Sequence, residues 1–211
     1  MATRSADIAG GVIAAPPEDL CLGFVNTRCW RGMATPSEEL HGVDDVLAWS
    51  AGTGGVDAAI ARDFSVKWRA RPVDAADAFA EAIALREMLF RLFGAVAARE
   101  PADPADLDAF NAALGWAAAR SCMVCRDGAF VWSVDGLRPS AAALLSPVLW
   151  SAADLLAGAR RDRVRQCDNP QCRWVFLDDS KSGNRRWCSM ASCGNRAKAH
   201  RHYLKRREAG R

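Results

Sequence analysis

Cys167-Asp-Asn-Pro-Gln-Cys172 is followed, after fifteen residues, by Cys188-Ser-Met-Ala-Ser-Cys193-Gly194-Asn195-Arg196. Two cysteine pairs of equal internal spacing, parted by a short insert, are what a closed four-thiolate zinc site needs. Each pair brackets the ion from a tight turn, and the insert supplies a hairpin that brings the pairs together. Asn169-Pro170 is a turn signal inside the first pair. From about Gly194-Asn195-Arg196-Ala197-Lys198 onward the chain reads as helical, so a turn, a hairpin and a helix start share one metal in a treble-clef-like arrangement. The alternatives are two disulfides or four unrelated buried thiols. Against disulfides, residues 1–17 hold Asp7, Gly10 and Gly11 rather than a clean apolar leader, so a reducing cytosol is expected. Against unrelated thiols, these four sit among Asp, Asn, Gln, Arg and Ser instead of apolar neighbours. Four thiolates with no open position suit one redox-inert structural Zn²⁺ better than copper or iron.

Half of the 211 residues are hydrophobic, enough for one cored domain and an appendage. No run approaches 18 uninterrupted apolar residues, so no membrane-spanning helix is expected. The net charge of +3 averages two unlike parts: residues 160–211 carry 15 Lys/Arg against 5 Asp/Glu, a net +10, and residues 1–159 carry 13 against 20, a net −7. An acidic body with a basic arm points to a polyanionic partner, and the arm lying back on the body is the competing account.

Outward from the cysteines, the body (residues 1–158) is expected to be mainly α with one small β-hairpin. Residues 1–17 hold at most a short strand. Leu20, Leu22, Phe24 and Val25 form a short helix or turn ending at Asn26-Thr27. Val43 to Ser50 reads as a short helix stopped by Gly52-Thr-Gly-Gly55, a loop that lacks the Lys-Ser/Thr ending of a phosphate-binding loop. The central helix begins at Asp74 and carries Phe79, Ile83, Leu85, Met88, Leu89, Phe90, Leu92, Phe93 and Val96. Arg86 interrupts its stripe, either snorkelling, paired with a core acid, or anchoring a ligand. Asp103-Pro104 caps the next helix, Pro139-Ser140 opens another, Ser146-Pro147 kinks it or caps a second, and Gly158 ends it. Asn26, Thr27, Trp30 and Arg86 are the candidates for contacting a small-molecule effector, with packing as their simpler role.

The period changes to two at Ser121–Arg126 and Ala129–Val134, a hairpin on an Asp127-Gly128 turn that pairs Cys125 with Phe130, Met123 with Trp132 and Cys122 with Ser133. Cys122 and Cys125 resemble a metal or redox pair. Residues three apart on a strand point to opposite faces, so they cannot converge on one ion.

Residues 159–166 are expected as a linker and 167–211 as the finger. Within the finger, Trp174-Val-Phe-Leu177 is a strand, Asp178 to Asn184 the turn, and Arg185-Arg-Trp187 the returning strand. Its small core depends on zinc, so chelation is expected to unfold residues 167–203 and leave the body standing. The terminal helix aligns Cys193, Ala197, His200 and Leu204 facing the knuckle, with His200 a packed residue rather than a fifth ligand. Lys198, Arg201 and Lys205 occupy one flank, Arg196, Tyr203 and Arg207 the other. With Arg173, Arg185, Arg186 and Arg206 these side chains are the candidate phosphate contacts. Some of Arg173, Arg185 and Arg186 can instead offset the net −2 of a four-thiolate zinc centre.

The runs Arg173-Trp-Val-Phe-Leu-Asp178, Asn184-Arg-Arg-Trp-Cys-Ser-Met190 and Cys193-Gly-Asn-Arg196 resemble the bacterial CGNR zinc-finger family. That family joins this finger to an N-terminal helical ABATE domain, matched here chiefly at Phe24-Val25-Asn26-Thr27, with Gly23 where the family usually carries Asp. The resemblance implies a stress-induced transcription regulator that binds DNA. Two rival readings are RNA binding through the same basic helix, and a protein-interaction module whose finger is a stabilised knob. An enzyme is not expected: a four-Cys site has no open position, and three histidines offer few acid–base candidates.

Overall fold

The computed structural model describes Ile8, residues 10–199 and Arg206. A helix of 27 residues, Pro72–Ala98 (α4), forms the axis, about 40 Å long at 1.5 Å per residue. Pro72 stands in its first turn, where the missing N–H costs nothing. Ala78, Ala82, Leu85, Met88, Leu89, Leu92 and Phe93 are its buried side. Around it lie Leu20–Val25 (α1), Val43–Gly52 (α2), Ala58–Ala70 (α3), Pro104–Trp116 (α5), Ala141–Leu144 (α6) and Ser146–Ala157 (α7). Glu81 of α4 caps α6, accepting from the N–H groups of Ala141 and Ala142 at 3.0 and 3.2 Å.

Asp103 caps α5 as expected, accepting from the Ala105 N–H, and Ser146-Pro147 separates two helices rather than kinking one. Helix α3 was not anticipated from the sequence. Its signals are present nonetheless: Asp57 accepts from the Ala59 N–H, and Ile60, Phe64 and Trp68 recur at spacings of four as its buried side.

A three-stranded antiparallel sheet is ordered Gly11–Ile13 (β1), Ala129–Val134 (β5), Cys122–Arg126 (β4). Its hairpin has the expected register, with Cys125 opposite Phe130, Met123 opposite Trp132 and Cys122 opposite Ser133. Asp127 and Gly128 both adopt positive φ, 51° and 79°, the turn whose twist matches the strands. Arg28–Cys29 (β2) and Ser37–Glu38 (β3) make a second small ladder.

The last ladder departs from expectation. Val175–Leu177 (β7) pairs with Val164–Gln166 (β6), so the hairpin wraps the first cysteine pair instead of lying between the pairs. Residues 185–187 form no strand. The cause is Asp178, fully buried, whose carboxylate accepts from Ser180 N–H at 3.0 Å and Arg185 N–H at 2.9 Å, closing the turn through a side chain. Burial opposes the Asp178 charge, and the Ser180 hydroxyl, donating at 2.6 Å, together with these backbone hydrogen bonds holds its carboxyl below the usual carboxylate range. The expected linker is correspondingly structured: Ala159–Arg163 is a 3-10 helix and Val164, the start of β6, is fully buried.

Val164, Val175 and Leu177 belong to the same apolar core as α1, α4 and α7. Asn26, just past α1, acts as a surrogate strand: its side-chain N–H donates to Val175 O at 2.7 Å and its side-chain oxygen accepts from Val175 N–H at 3.1 Å. Trp174 Nε1 donates to Asn26 O at 3.1 Å. Asn26→Ala leaves both Val175 backbone groups without these partners, and is expected to cost about 1–3 kcal/mol in urea unfolding. Faster hydrogen exchange at residues 174–177 is the accompanying readout.

Candidate metal centre and its surroundings

The sulfurs of Cys167, Cys172, Cys188 and Cys193 all lie within 4.8 Å of one another. The Cys172–Cys188 separation is 3.7 Å and the Cys188–Cys193 separation 3.8 Å. A tetrahedron with Zn–S bonds of about 2.3 Å has edges of about 3.8 Å, so the four thiolates fit one zinc ion. No ordinary S–S bond joins any of them, since all eight cysteines are free. Bound zinc would act as a structural cross-link, its coordination closed by sulfur.

The first knuckle is shaped by Asn169. Its backbone oxygen accepts from the N–H groups of Cys172 and Arg173 at 2.9 and 3.2 Å, and its side-chain oxygen accepts from Gln171 N–H at 3.0 Å. Its side-chain N–H points at Cys193 Sγ, 3.5 Å away. Cys188 and Cys193 bracket a tight turn, Met190–Gly194, in which Gly194 N–H donates to Ser189 O. Helical residues 195–199 follow. Burial pushes the Cys172 thiol up to about 12 and raises Cys188 as well. Burial also works against Cys193, but hydrogen bonding, from Asn169 first, brings its thiol below the ordinary range. The metal must therefore displace protons from buried thiols, and its affinity falls as pH is lowered.

Part of the site's wall comes from the helical body. Trp30, at a left-handed φ of 54°, packs against the sulfur cluster, and the Arg196 guanidinium lies 4.4 Å from its ring centre. Gly32 N–H donates to Gln171 O at 3.1 Å. A Cβ at Gly32 would stand 1.9 Å from Pro170 O, so only glycine permits this approach. Cys29, Trp30 and Trp174 line a mostly apolar hollow of about 180 Å³ beside Cys172, Cys188 and Cys193.

The candidate phosphate contacts separate into two groups. Arg185 lies over the Phe176 ring and donates to the carbonyls of Trp187 and Cys188, adding positive charge beside the thiolates. Arg185 is nonetheless exposed, as are Arg173, Arg186, Arg196, Lys198 and Arg206. Arg186 is also paired with Asp168 at 2.5 Å, and Arg173 stands 5.6 Å from the Phe90 ring centre. Arg201, Lys205 and Arg207, like the packed role of His200 and the placing of Tyr203 and Leu204, fall outside the described residues.

Asn26, Thr27, Trp30 and Arg86 do not converge on one cavity. Asn26 holds β7 and Trp30 the sulfur cluster. Thr27 is buried, donating to Phe24 O and accepting from Arg86 Nη1 at 3.2 Å. Arg86, 1% exposed, is paired with acids: both of its terminal nitrogens donate to Glu38, and Nε donates to Glu87 at 3.0 Å. Glu87 in turn accepts from Arg31, whose guanidinium lies 4.0 Å from the Phe90 ring centre. Glu38, 48 residues away from Arg86, was not legible as its partner because nothing local marks the pairing.

Burial opposes ionisation at Glu38 and Glu87, and the guanidiniums of Arg86 and Arg31 respectively more than offset it, holding both carboxyls below their usual range. A carboxyl depressed in the folded state stabilises above its unfolded pKa of about 4.3 and loses that contribution as pH falls through the folded value. Acid unfolding is therefore expected to begin below about pH 5. Arg86→Met leaves the half-buried Glu38 without its guanidinium partner and Glu87 with Arg31 alone, and is expected to cost about 1–3 kcal/mol by denaturant titration at pH 7. Because finger and body share a core and a wall at the metal, chelation is expected to lower the melting temperature of the helices too, the opposite of the behaviour expected from the sequence. A helical melt by circular dichroism that ignores the chelator would show two independent units.

Both segments match family models. Residues 163–206 match the CGNR zinc finger, and residues 18–159 match ABATE, described as "Putative stress-induced transcription regulator". Neither description names an enzyme. No curated protein matches the chain. Among the described residues no helix is long and apolar enough to cross a membrane. With ABATE covering well over half the sequence and the Cys193-Gly194-Asn195-Arg196 signature in place at the metal centre, the chain belongs to the ABATE family and carries a CGNR zinc finger.

Proposed function

We propose that the protein is a cytoplasmic DNA-binding transcriptional regulator whose zinc is structural and whose helical domain senses or interacts. The observation that carries this reading is the concentration of positive charge on the finger segment, +10 over residues 160–211 against −7 for the rest. Arg160, Arg163 and Arg165 are turned onto neighbouring acids and carbonyls: Arg160 meets Glu18 and Asp179, Arg163 meets Ser180 O, and Arg165 meets Asp162 O and Gly183 O. Among the described residues of this segment, Arg161, Arg173, Lys181, Arg185, Arg186, Arg196, Lys198 and Arg206 are exposed. The exposed Arg186–Asp168 pair is a weak competitor for Arg186, because such pairs contribute about 0–1 kcal/mol. The closed four-sulfur centre supports a structural rather than a catalytic ion.

The test is equilibrium binding of the full zinc-loaded chain to mixed-sequence duplex DNA, single-stranded DNA and structured RNA at several salt concentrations. If about five phosphates are contacted, log K against log salt for duplex DNA is expected to have a slope near −4.5. Charge reversal at Lys198, Arg201 and Lys205 is expected to abolish binding. A stronger preference for structured RNA would shift the reading to RNA. A flat salt response, or binding indifferent to the charge reversal, would replace it with a protein-interaction module.

A further inference from the structure

The first knuckle also borders a cleft beside the zinc ligand Cys193. It measures about 400 Å³, and Asp168, Asn169, Pro170, Gln171, Trp187 and Arg196 line it together with Cys193 and Ala197. That volume lies in the range of sites that hold a small planar group. Trp187 brings an indole to this cleft, with the Arg186 guanidinium 5.2 Å from its ring centre. Arg196 brings a second guanidinium, positioned by its stacking on Trp30. Asp168 is paired with Arg186, so the cleft's only acid is already matched by a cation.

Gln171 gives the cleft its polar edge. Its backbone is fixed on both sides, by the bond from its N–H to Asn169 Oδ1 and by the bond that its carbonyl accepts from Gly32. Its side chain is exposed and, among the described residues, has no hydrogen-bond partner. A carboxamide offers one donor and one acceptor side by side, the pattern that matches the edge of a base, adenine above all. Planar aromatic and guanidinium groups accept the face of any base.

We propose that this cleft takes up one unpaired nucleobase of a nucleic-acid strand, stacked against Trp187 and the arginines and read at its edge by Gln171. The proposal rests on the nucleic-acid reading above. Charge selects a base over an aromatic side chain of a protein partner, because Arg196 lines the cleft, Arg186 stands over its Trp187, and a base arrives on a phosphodiester strand. A recess, rather than a flat face, selects an unpaired base: in a duplex both faces of every base are covered by their neighbours.

The experiment uses the full zinc-loaded chain and mixed-sequence oligonucleotides of equal length carrying one 2-aminopurine, as single-stranded DNA, single-stranded RNA and duplex DNA at fixed salt. Single strands are expected to bind roughly tenfold or more tightly than the duplex, with a change in 2-aminopurine emission on stacking. The two single-stranded arms show whether the sugar matters. Gln171→Ala removes only an exposed side chain. It is expected to weaken binding to adenine-rich strands by roughly five- to tenfold and to flatten the preference among bases, with the salt slope unchanged. Lys198→Ala is expected to do the reverse, keeping base preference and reducing the slope by about 0.7. Zinc content measured on each variant shows that the knuckle is intact. Duplex bound as well as single strand, or base preference unaltered in Gln171→Ala, would overturn the cleft's role and leave nucleic-acid binding standing. No binding to any oligonucleotide would overturn both.

Discussion

Four sulfurs drawn to the corners of one tetrahedron hold two segments that have almost no apolar interior of their own. Among the described residues, the two knuckles are arranged by that closure. Asn169 bends the first segment, and Ser189 and Gly194 bend the second. The hairpin β6–β7 leaves the first segment in both directions, so a distortion at the metal reaches Val164, Val175 and Leu177 within a few residues. Those three side chains lie in the core of the helical body. The metal is thus a fastener for the body as well as for the finger.

The body meets this fastener with a second constraint, an electroneutral row of charges running Arg31–Glu87–Arg86–Glu38. A lone guanidinium as deeply buried as Arg86 would carry a desolvation cost of several kcal/mol, and paired acids offset it. The geometry of the row also fixes neighbours that carry no charge. Arg86 sets Thr27, and Arg31 sets the Val25 carbonyl, so the chain enters the loop of Trp30 and Gly32 in a defined direction. That direction brings Trp30 to the sulfurs and Gly32 to Gln171.

Features encoded by local spacing were legible in the sequence. The cysteine pairs, the Asp127-Gly128 hairpin with its register, and the Asp103 cap each announce themselves within a dozen residues or so. Helix α3 is equally local in its signals, a stripe of Ile60, Phe64 and Trp68, but it follows closely on the glycine-rich loop Gly52–Gly55. The rest was hidden for a physical reason. β6 is three residues long and includes Arg165 and Gln166, with no alternation to detect, and its partner lies beyond a knuckle. The pairings of Asn26 with Val175, 149 residues apart, and of Glu38 with Arg86 leave no periodic trace. An Asn after a short apolar run reads as a local cap, and only the packed chain reveals it as the edge of a sheet.

The 149-residue separation between Asn26 and Val175 has a consequence for biosynthesis. At roughly 5–20 residues per second, the strand that completes the body's core is translated roughly 7–30 s after the helix it packs on. Until then α1 and α4 present an uncovered apolar side to the cell. The nascent body must either be shielded or wait, and its maturation is timed by the synthesis of Val164–Leu177. Metal supply at the ribosome would then govern the yield of the whole chain.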